Sequence, residues 1–166
     1  MYCVVIVRRI LYQVKIFWDL EAQQRQNLLI LFAASLLFWS SVASMVPTMP
    51  QYVEDIGGTK QQVGLVISSF FIGIILLRTI VGRLADQQGR KLVLLIGSSI
   101  GAIAPLCYLL VDSIGMLMLI RAFHGMSFAA FTTGYLALVA DLSPVDKRGE
   151  LLSYMSLTTP IGLAIG

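Results

Sequence analysis

Two long apolar runs of the chain are separated by the polar stretch Gly82-Arg83-Leu84-Ala85-Asp86-Gln87-Gln88-Gly89-Arg90-Lys91. Six of these ten residues are glycine or charged. Glycine permits backbone conformations and close approaches that a Cβ forbids, and cations favour the cytoplasmic side of a membrane. The stretch therefore predicts a cytoplasmic loop between two membrane-spanning helices, in which the lone carboxylate of Asp86 is expected to have a partner.

The composition of the 166-residue chain is that of an integral membrane protein. Hydrophobic residues make up 57% of it and charged residues 13%, whereas soluble proteins average about 45–50% and about 25%. The apolar residues fall in blocks close to the roughly 20 residues that a helix needs to cross a bilayer. The net charge of +3 arises from short clusters between these blocks. Membrane topology explains such clusters better than nucleic-acid binding does, so no nucleic-acid partner is expected.

Five apolar segments predict an all-α protein with five transmembrane helices. We place these helices at about residues 28–46, 63–81, 92–111, 114–140 and 151–166, the last of them incomplete. Pro47 and Pro50 are expected to end the first helix at the far side of the membrane. Residues 1–27 are expected to form a cytoplasmic segment whose mixture of cations and aromatic residues also suits a position along the membrane surface. An alternative is that the protein starts near Val14.

The distribution of Lys and Arg predicts the orientation of the chain in the membrane. Cations cluster on one side of the predicted helices, at Arg8, Arg9, Lys15, Arg25, Arg83, Arg90, Lys91, Lys147 and Arg148. The loops on the other side carry Lys60 alone. Since loops rich in Lys and Arg stay in the cytoplasm, we expect a cytoplasmic N-terminus in a plasma or inner membrane.

The fourth predicted helix carries an arginine, Arg121, about two turns from its start. At 1.5 Å per residue the guanidinium lies roughly 10 Å inside the helix, where facing lipid costs about 2.5 kcal/mol or more. Such residues usually face a bundle interior or a wet cavity and mark a pathway, so we interpret Arg121 as a functional residue rather than a snorkelling one. His124 and Gly125 follow at i+3 and i+4 and share its face. For His124 a proton-binding role and a packing role are equally open.

Glycines spaced four residues apart predict close contacts between helices. The pairs are Gly97 with Gly101 and Gly162 with Gly166. The two cysteines show no metal-binding or redox spacing, and the sequence has no nucleophile–base pair and no phosphate-binding glycine loop. We therefore predict no enzyme activity, no cofactor and no metal site.

The pattern Gly82-x-Leu84-Ala85-Asp86-x-x-Gly89-Arg90-Lys91 resembles the loop between helices two and three of the major facilitator superfamily. Gln87 stands where a basic residue is common in that family. The resemblance implies a gating loop in which Asp86 faces a helix of the second half of the transporter in the outward-facing state. It also implies that Arg90 pairs with a nearby acidic group, for which Asp141 is our candidate. Arg148, in the next polar stretch, matches the family's loop before the fifth helix.

Arg121-x-x-His124-Gly125 resembles the fourth-helix motif that is associated with proton coupling in the drug/proton antiporters of this family, with His124 where glutamine is frequent. Residues 160–166 resemble the onset of the fifth-helix antiporter motif. The resemblance over residues 28–166 implies a secondary transporter that exports a small organic solute in exchange for protons by alternating access.

The same resemblance implies the fold. The chain corresponds to the first five helices of a fold that has about twelve helices in two halves, so a C-terminal half is expected to complete it. No acidic residue lies inside the five predicted spans. A proton carrier within this chain would therefore be His124. The alternative interpretation is a truncated fragment of such a transporter that does not transport.

Overall fold

A computed structural model describes residues 20–166, which form six α-helices and no strand within that range. The helices are α1 (Ala22–Asp55), α2 (Lys60–Gln88), α3 (Arg90–Tyr108), α4 (Ile114–Leu142), α5 (Arg148–Ser156) and α6 (Thr158–Ile165). In this part of the chain, α1 to α4 are long and apolar enough to cross a membrane. The predicted all-α membrane fold is confirmed. Most of the predicted N-terminal segment 1–27, with the alternative start near Val14, lies outside the described residues.

The first helix continues through both of its prolines. Pro47 and Pro50 lie inside α1, which reaches Asp55, so the expectation that they end the helix is wrong. Each proline removes one backbone hydrogen-bond donor. Met49 and Val53, in the outer part of the helix, are buried in a cluster with side chains of α2, α3 and α4. Packing of this outer part against three neighbours outweighs the two missing hydrogen bonds, as it does in other membrane helices.

The polar stretch from Gly82 to Lys91 is almost entirely helical. Helix α2 has 29 residues and is therefore about 44 Å long, whereas the hydrocarbon core is about 30 Å thick. Its charged last turns reach water without an irregular loop, and Gly89 alone joins α2 to α3. The φ of Gly89 is 98°, in the region that favours glycine. Gly82 is helical and has open space where a Cβ would lie, so the expectation that it shapes the turn is wrong.

Helix α4 lies at the centre of the described bundle, packed against α2 and α3, while α1 packs mainly against α6. The contacts are close because glycines face the neighbouring helices. A Cβ on Gly97 would overlap the backbone of α4, and one on Gly162 or Gly166 would overlap atoms of α1. A Cβ on Gly101 would lie 3.2 Å from the Phe38 ring of α1. Small residues of this kind allow helices to associate in lipid, where apolar burial does not drive them together.

The fifth apolar segment is interrupted rather than continuous. Helix α5 ends at Ser156 and α6 begins at Thr158, so Leu157 alone lies between them. Pro160 explains the break, because it has no N–H to bond the carbonyl oxygen of Ser156. At the break, the Thr158 hydroxyl donates to the Met155 carbonyl oxygen at 2.7 Å. The predicted span at residues 151–166 is thus two short helices in series.

Candidate functional site

Arg121 is buried inside the helix bundle. Its exposed fraction is 7%, and its Cζ lies 4.9 Å from the centre of the Phe70 ring of α2. A cation over an aromatic face is stabilised by about 0.5–2 kcal/mol. Among residues 20–166, the guanidinium Nε has no hydrogen-bond partner and no carboxylate forms an ion pair with Arg121. The described part of the chain therefore leaves a buried positive charge uncompensated.

His124 lies on the same face of α4, one turn beyond Arg121, and is 2% exposed. Its Nδ1 is 3.0 Å from the hydroxyl oxygen of Tyr108 on α3. Its ring meets the Phe70 ring edge to face, with the ring centres 5.7 Å apart. Contacts between these side chains thus join α2, α3 and α4 around Arg121.

Gly125 brings α2 close to α4 at the level of Arg121. A Cβ at this position would overlap the carbonyl oxygen of Phe70. Gly73 of α2 makes the reciprocal contact, since a Cβ there would overlap the carbonyl oxygen of Ala122. The two glycines hold the Phe70 ring beside Arg121. The structure thus brings together all three residues of the fourth-helix motif, and their roles in transport stay predictions.

Two cavities adjoin this group. The first, which we call the Arg121 cavity, measures about 330 Å³ and lies between α1, α2 and α4. Its wall includes the side chains of Trp39, Phe70, Phe71, Arg121, His124 and Phe128. The second cavity measures about 320 Å³, lies between α1, α3 and α4, and includes Ser41, Ser98 and His124 in its wall. Pockets for small molecules span about 300–1,000 Å³, so each cavity has the size of a compact ligand site.

Arg90 and Asp141 form an ion pair at the end of the bundle that is predicted to be cytoplasmic. Arg90 Nη1 contacts Asp141 Oδ1 and joins the start of α3 to the end of α4. The two side chains are 37% and 43% exposed, and exposed pairs contribute about 0–1 kcal/mol to stability. The pair therefore does more to position the ends of α3 and α4 than to stabilise the fold. It joins the two residues that the sequence suggested as partners, while its gating role stays a prediction.

The other predicted residues of the two polar stretches do not meet. Asp86 is exposed on the last turn of α2 and forms no ion pair within residues 20–166. Lys91 is exposed and lines a cavity of about 410 Å³ between α1, α3 and α4. Arg148 is exposed at the first residue of α5. The partner expected for Asp86 is thus absent from the described part of the chain.

Sequence reasoning missed the aromatic side chains of the Arg121 cavity and the hydrogen bond between Tyr108 and His124. An aromatic residue in an apolar run suits lipid and core equally, so its position in the sequence does not mark it as part of a cavity. The one available signal was Gly73, because a small residue on α2 indicates where a neighbouring helix comes close. Phe70 lies on the same face, three residues earlier.

An all-α membrane bundle with a buried cation beside cavities of ligand size has the architecture of a membrane transporter. The sequence profile of the Major Facilitator Superfamily matches residues 28–166. The chain belongs to this family, and the resemblance predicted from its motifs is confirmed. Members of the family are transporters of small molecules rather than enzymes.

Two relatives illustrate the similarity. The quinolone resistance protein NorA of Staphylococcus aureus is 27% identical over 141 residues, which cover 85% of this chain and 36% of NorA. Multidrug resistance protein 1 of Bacillus subtilis (strain 168) is 26% identical over 140 residues, which cover 84% of this chain and 36% of that protein. The chain thus spans 36% of the length of these relatives.

Proposed function

We propose that these helices belong to a secondary transporter that exports a small organic solute in exchange for protons by alternating access. The observation that carries the proposal is the buried Arg121, whose Nε has no partner among the described residues and which lines a ligand-sized cavity. Two relatives named for drug resistance support the direction of transport. The proposal concerns the complete transporter, because the chain spans 36% of the length of those relatives.

In this proposal the solute binds in the Arg121 cavity and His124 carries the proton in this half of the transporter. His124 lines both cavities and its Nδ1 is held by the Tyr108 hydroxyl. Arg121 is the one Arg, Lys, Asp or Glu among the described residues that line either cavity. Solute and proton would then bind within one turn of α4, so that each can change the affinity for the other.

The ion pair between Arg90 and Asp141 and the exposed carboxylate of Asp86 belong, in the same proposal, to a cytoplasmic gate. The pair ties α3 to α4 at one end of the bundle. Asp86 is exposed on the last turn of α2, where a helix of the second half can reach it. A weak, solvent-exposed pair suits a contact that forms and breaks in each cycle, since its rupture costs about 1 kcal/mol or less. In the same proposal, the N-terminus lies in the cytoplasm.

The test is transport of a fluorescent quinolone into everted vesicles that contain the complete transporter. Accumulation should follow an imposed pH gradient and stop when an ionophore collapses it. Arg121→Ala should lower the initial rate at least about tenfold, which corresponds to about 1.4 kcal/mol, because it removes the buried charge. The matched control is Arg78→Ala, which removes an exposed arginine of α2 that lines neither cavity.

Two outcomes would overturn the proposal. Quinolone accumulation that persists without the pH gradient would remove proton coupling. Equal rates in Arg121→Ala and the unchanged protein, with equal amounts inserted in the membrane, would remove Arg121 from the mechanism.

A further inference from the structure

We propose that the Arg121 cavity binds compact aromatic solutes that carry a carboxylate and selects them over aromatic cations. The inference rests on the proposed function, since it names the substrate class of the same cavity. It is carried by the juxtaposition of one unpaired buried guanidinium nitrogen and four aromatic side chains.

The charge of the cavity favours an anion. Arg121 is 7% exposed, and its Nε has no hydrogen-bond partner within residues 20–166. A buried donor without an acceptor costs about 1–3 kcal/mol, and more when the group is charged. No Asp or Glu of the described chain lines the cavity. A bound carboxylate supplies both the missing acceptor and the missing negative charge, and guanidinium–carboxylate hydrogen bonds are among the strongest in proteins.

The shape of the cavity favours a flat ring. Trp39 and Phe128 meet at 90° with ring centres 5.4 Å apart, and Phe70 and Phe128 meet at 65° with centres 5.6 Å apart. Phe71 meets Phe70 at 86°. Rings set at such angles present both faces and edges to a ligand, and aromatic pairs gain about 0.5–1.5 kcal/mol beyond the area that they bury. The volume of about 330 Å³ limits the ligand to a compact one.

Aromatic walls alone would also attract an organic cation, so the two effects must be compared. A cation–π contact contributes about 0.5–2 kcal/mol. The Phe70 ring already makes a cation–π contact with Arg121, whose Cζ lies 4.9 Å from the ring centre. A second cation in the same cavity would lie beside a buried guanidinium, and like charges placed together cost several kcal/mol. The repulsion is the larger effect, and it disfavours a cationic solute in this cavity. The same repulsion opposes a proton on His124 until a bound carboxylate offsets the Arg121 charge.

Trp39 provides a direct reporter of binding. The chain has two tryptophans, Trp18 and Trp39, and Trp39 lies in the cavity wall. In a variant of the complete transporter in which every tryptophan except Trp39 is replaced by phenylalanine, Trp18 included, all indole fluorescence in lipid nanodiscs comes from the cavity wall. Three matched probes are 4-iodobenzoate, 4-iodobenzamide and 4-iodobenzylammonium, whose iodine quenches a neighbouring indole. They differ mainly in charge.

We expect 4-iodobenzoate at pH 7 to quench Trp39 saturably, with a Kd at least tenfold lower than that of the ammonium probe and also lower than that of the amide. Arg121→Gln should bring benzoate and benzamide within about twofold of each other. Arg78→Gln, which removes an exposed charge outside the cavity, should keep the full preference.

The inference is overturned if the ammonium probe binds as tightly as the benzoate, or if the benzoate quenches without saturation. This comparison needs no variant of Arg121, so it decides the question even where Arg121→Gln fails to fold. Unchanged benzoate preference in a folded Arg121→Gln protein would also refute it. A carboxylate preference without proton-driven transport would refute the proposed function alone, and proton-driven transport without the preference would refute the inference alone.

Discussion

At the scale of single residues, the site depends on two glycines, whose lack of a Cβ lets two helices come close together. Gly125 and Gly73 remove two Cβ atoms from the contact between α4 and α2, and the backbones approach until the Phe70 ring lies under Arg121. A cation held over a ring in this way keeps its position without a carboxylate. Within residues 20–166, Arg121 is therefore held by an aromatic ring and not neutralised by a carboxylate.

Gly125→Ala should destabilise the protein, because its Cβ would overlap the carbonyl oxygen of Phe70. Overpacking of this kind costs about 1–3 kcal/mol, and we expect a lower Tm by circular dichroism in detergent. The matched control is Gly64→Ala in α2, where a Cβ meets nothing within 4 Å. There helix propensity favours alanine by up to about 1 kcal/mol, so the Tm should hold or rise. Equal Tm values for the two variants would contradict the close contact.

At the scale of helices, the interrupted fifth segment is held by hydroxyl groups. The Ser35 and Thr158 hydroxyl oxygens are 2.8 Å apart and both side chains are fully buried, so α1 and α6 share a hydrogen bond. The Met155 carbonyl oxygen, at the end of α5, accepts hydrogen bonds from the hydroxyls of Tyr135 and Thr158. The break in the backbone is thus connected to both α1 and α4, which together line the two cavities.

Thr158→Val should cost about 1–3 kcal/mol, because it leaves the Ser35 hydroxyl buried without this partner. Ser35→Ala should cost less, about 0.5–1.5 kcal/mol, since the Thr158 hydroxyl keeps the Met155 carbonyl oxygen as acceptor. The double variant measured by reversible unfolding in mixed micelles should show a coupling of about 1 kcal/mol. Strict additivity of the two single effects would show that this hydrogen bond does not join α1 to α6.

At the scale of the whole molecule, the long helices extend beyond the hydrocarbon core, so their polar ends lie outside it. Helix α1 has 34 residues, about 51 Å at 1.5 Å per residue, and exceeds a hydrocarbon core of about 30 Å. The Tyr52 hydroxyl, near its outer end, donates to the Val111 carbonyl oxygen at 2.9 Å. A hydrogen bond thus joins the outer end of α1, which extends beyond the hydrocarbon core, to the segment that follows α3.

Cysteine labelling should establish the orientation of the bundle. In a variant with every native cysteine replaced by alanine, Cys3 and Cys107 included, Asp112→Cys and Val145→Cys each place one exposed thiol in a connection between helices. A membrane-impermeant maleimide added to intact cells should label the first and not the second, because cation-rich loops stay in the cytoplasm. Lysis before labelling is the control and should make both thiols reactive. The reverse pattern would place the N-terminus outside.

Apolar runs predicted the fold well because a long apolar segment in lipid must satisfy its own backbone hydrogen bonds, which it does by forming a helix. The ends of the helices were harder to predict from the sequence. Helix α1 continues through Pro47 because three other helices bury Met49 and Val53. Burial of Arg121 followed from its depth and charge. The ring of Phe70 could not be foreseen in the same way, because its place beside Arg121 arises from contact between two helices far apart in the sequence.

The single residue between α2 and α3 has a mechanical consequence. Both helices pack on α4 more than on each other, and Gly89 joins their ends with a backbone that only glycine adopts readily. A change in the tilt of α2 is taken up at this one residue, by rotation about its two backbone torsion angles. The ion pair between Arg90 and Asp141 joins the start of α3 to the end of α4. The helices α2, α3 and α4 are thus linked to one another within a few residues at one end of the bundle.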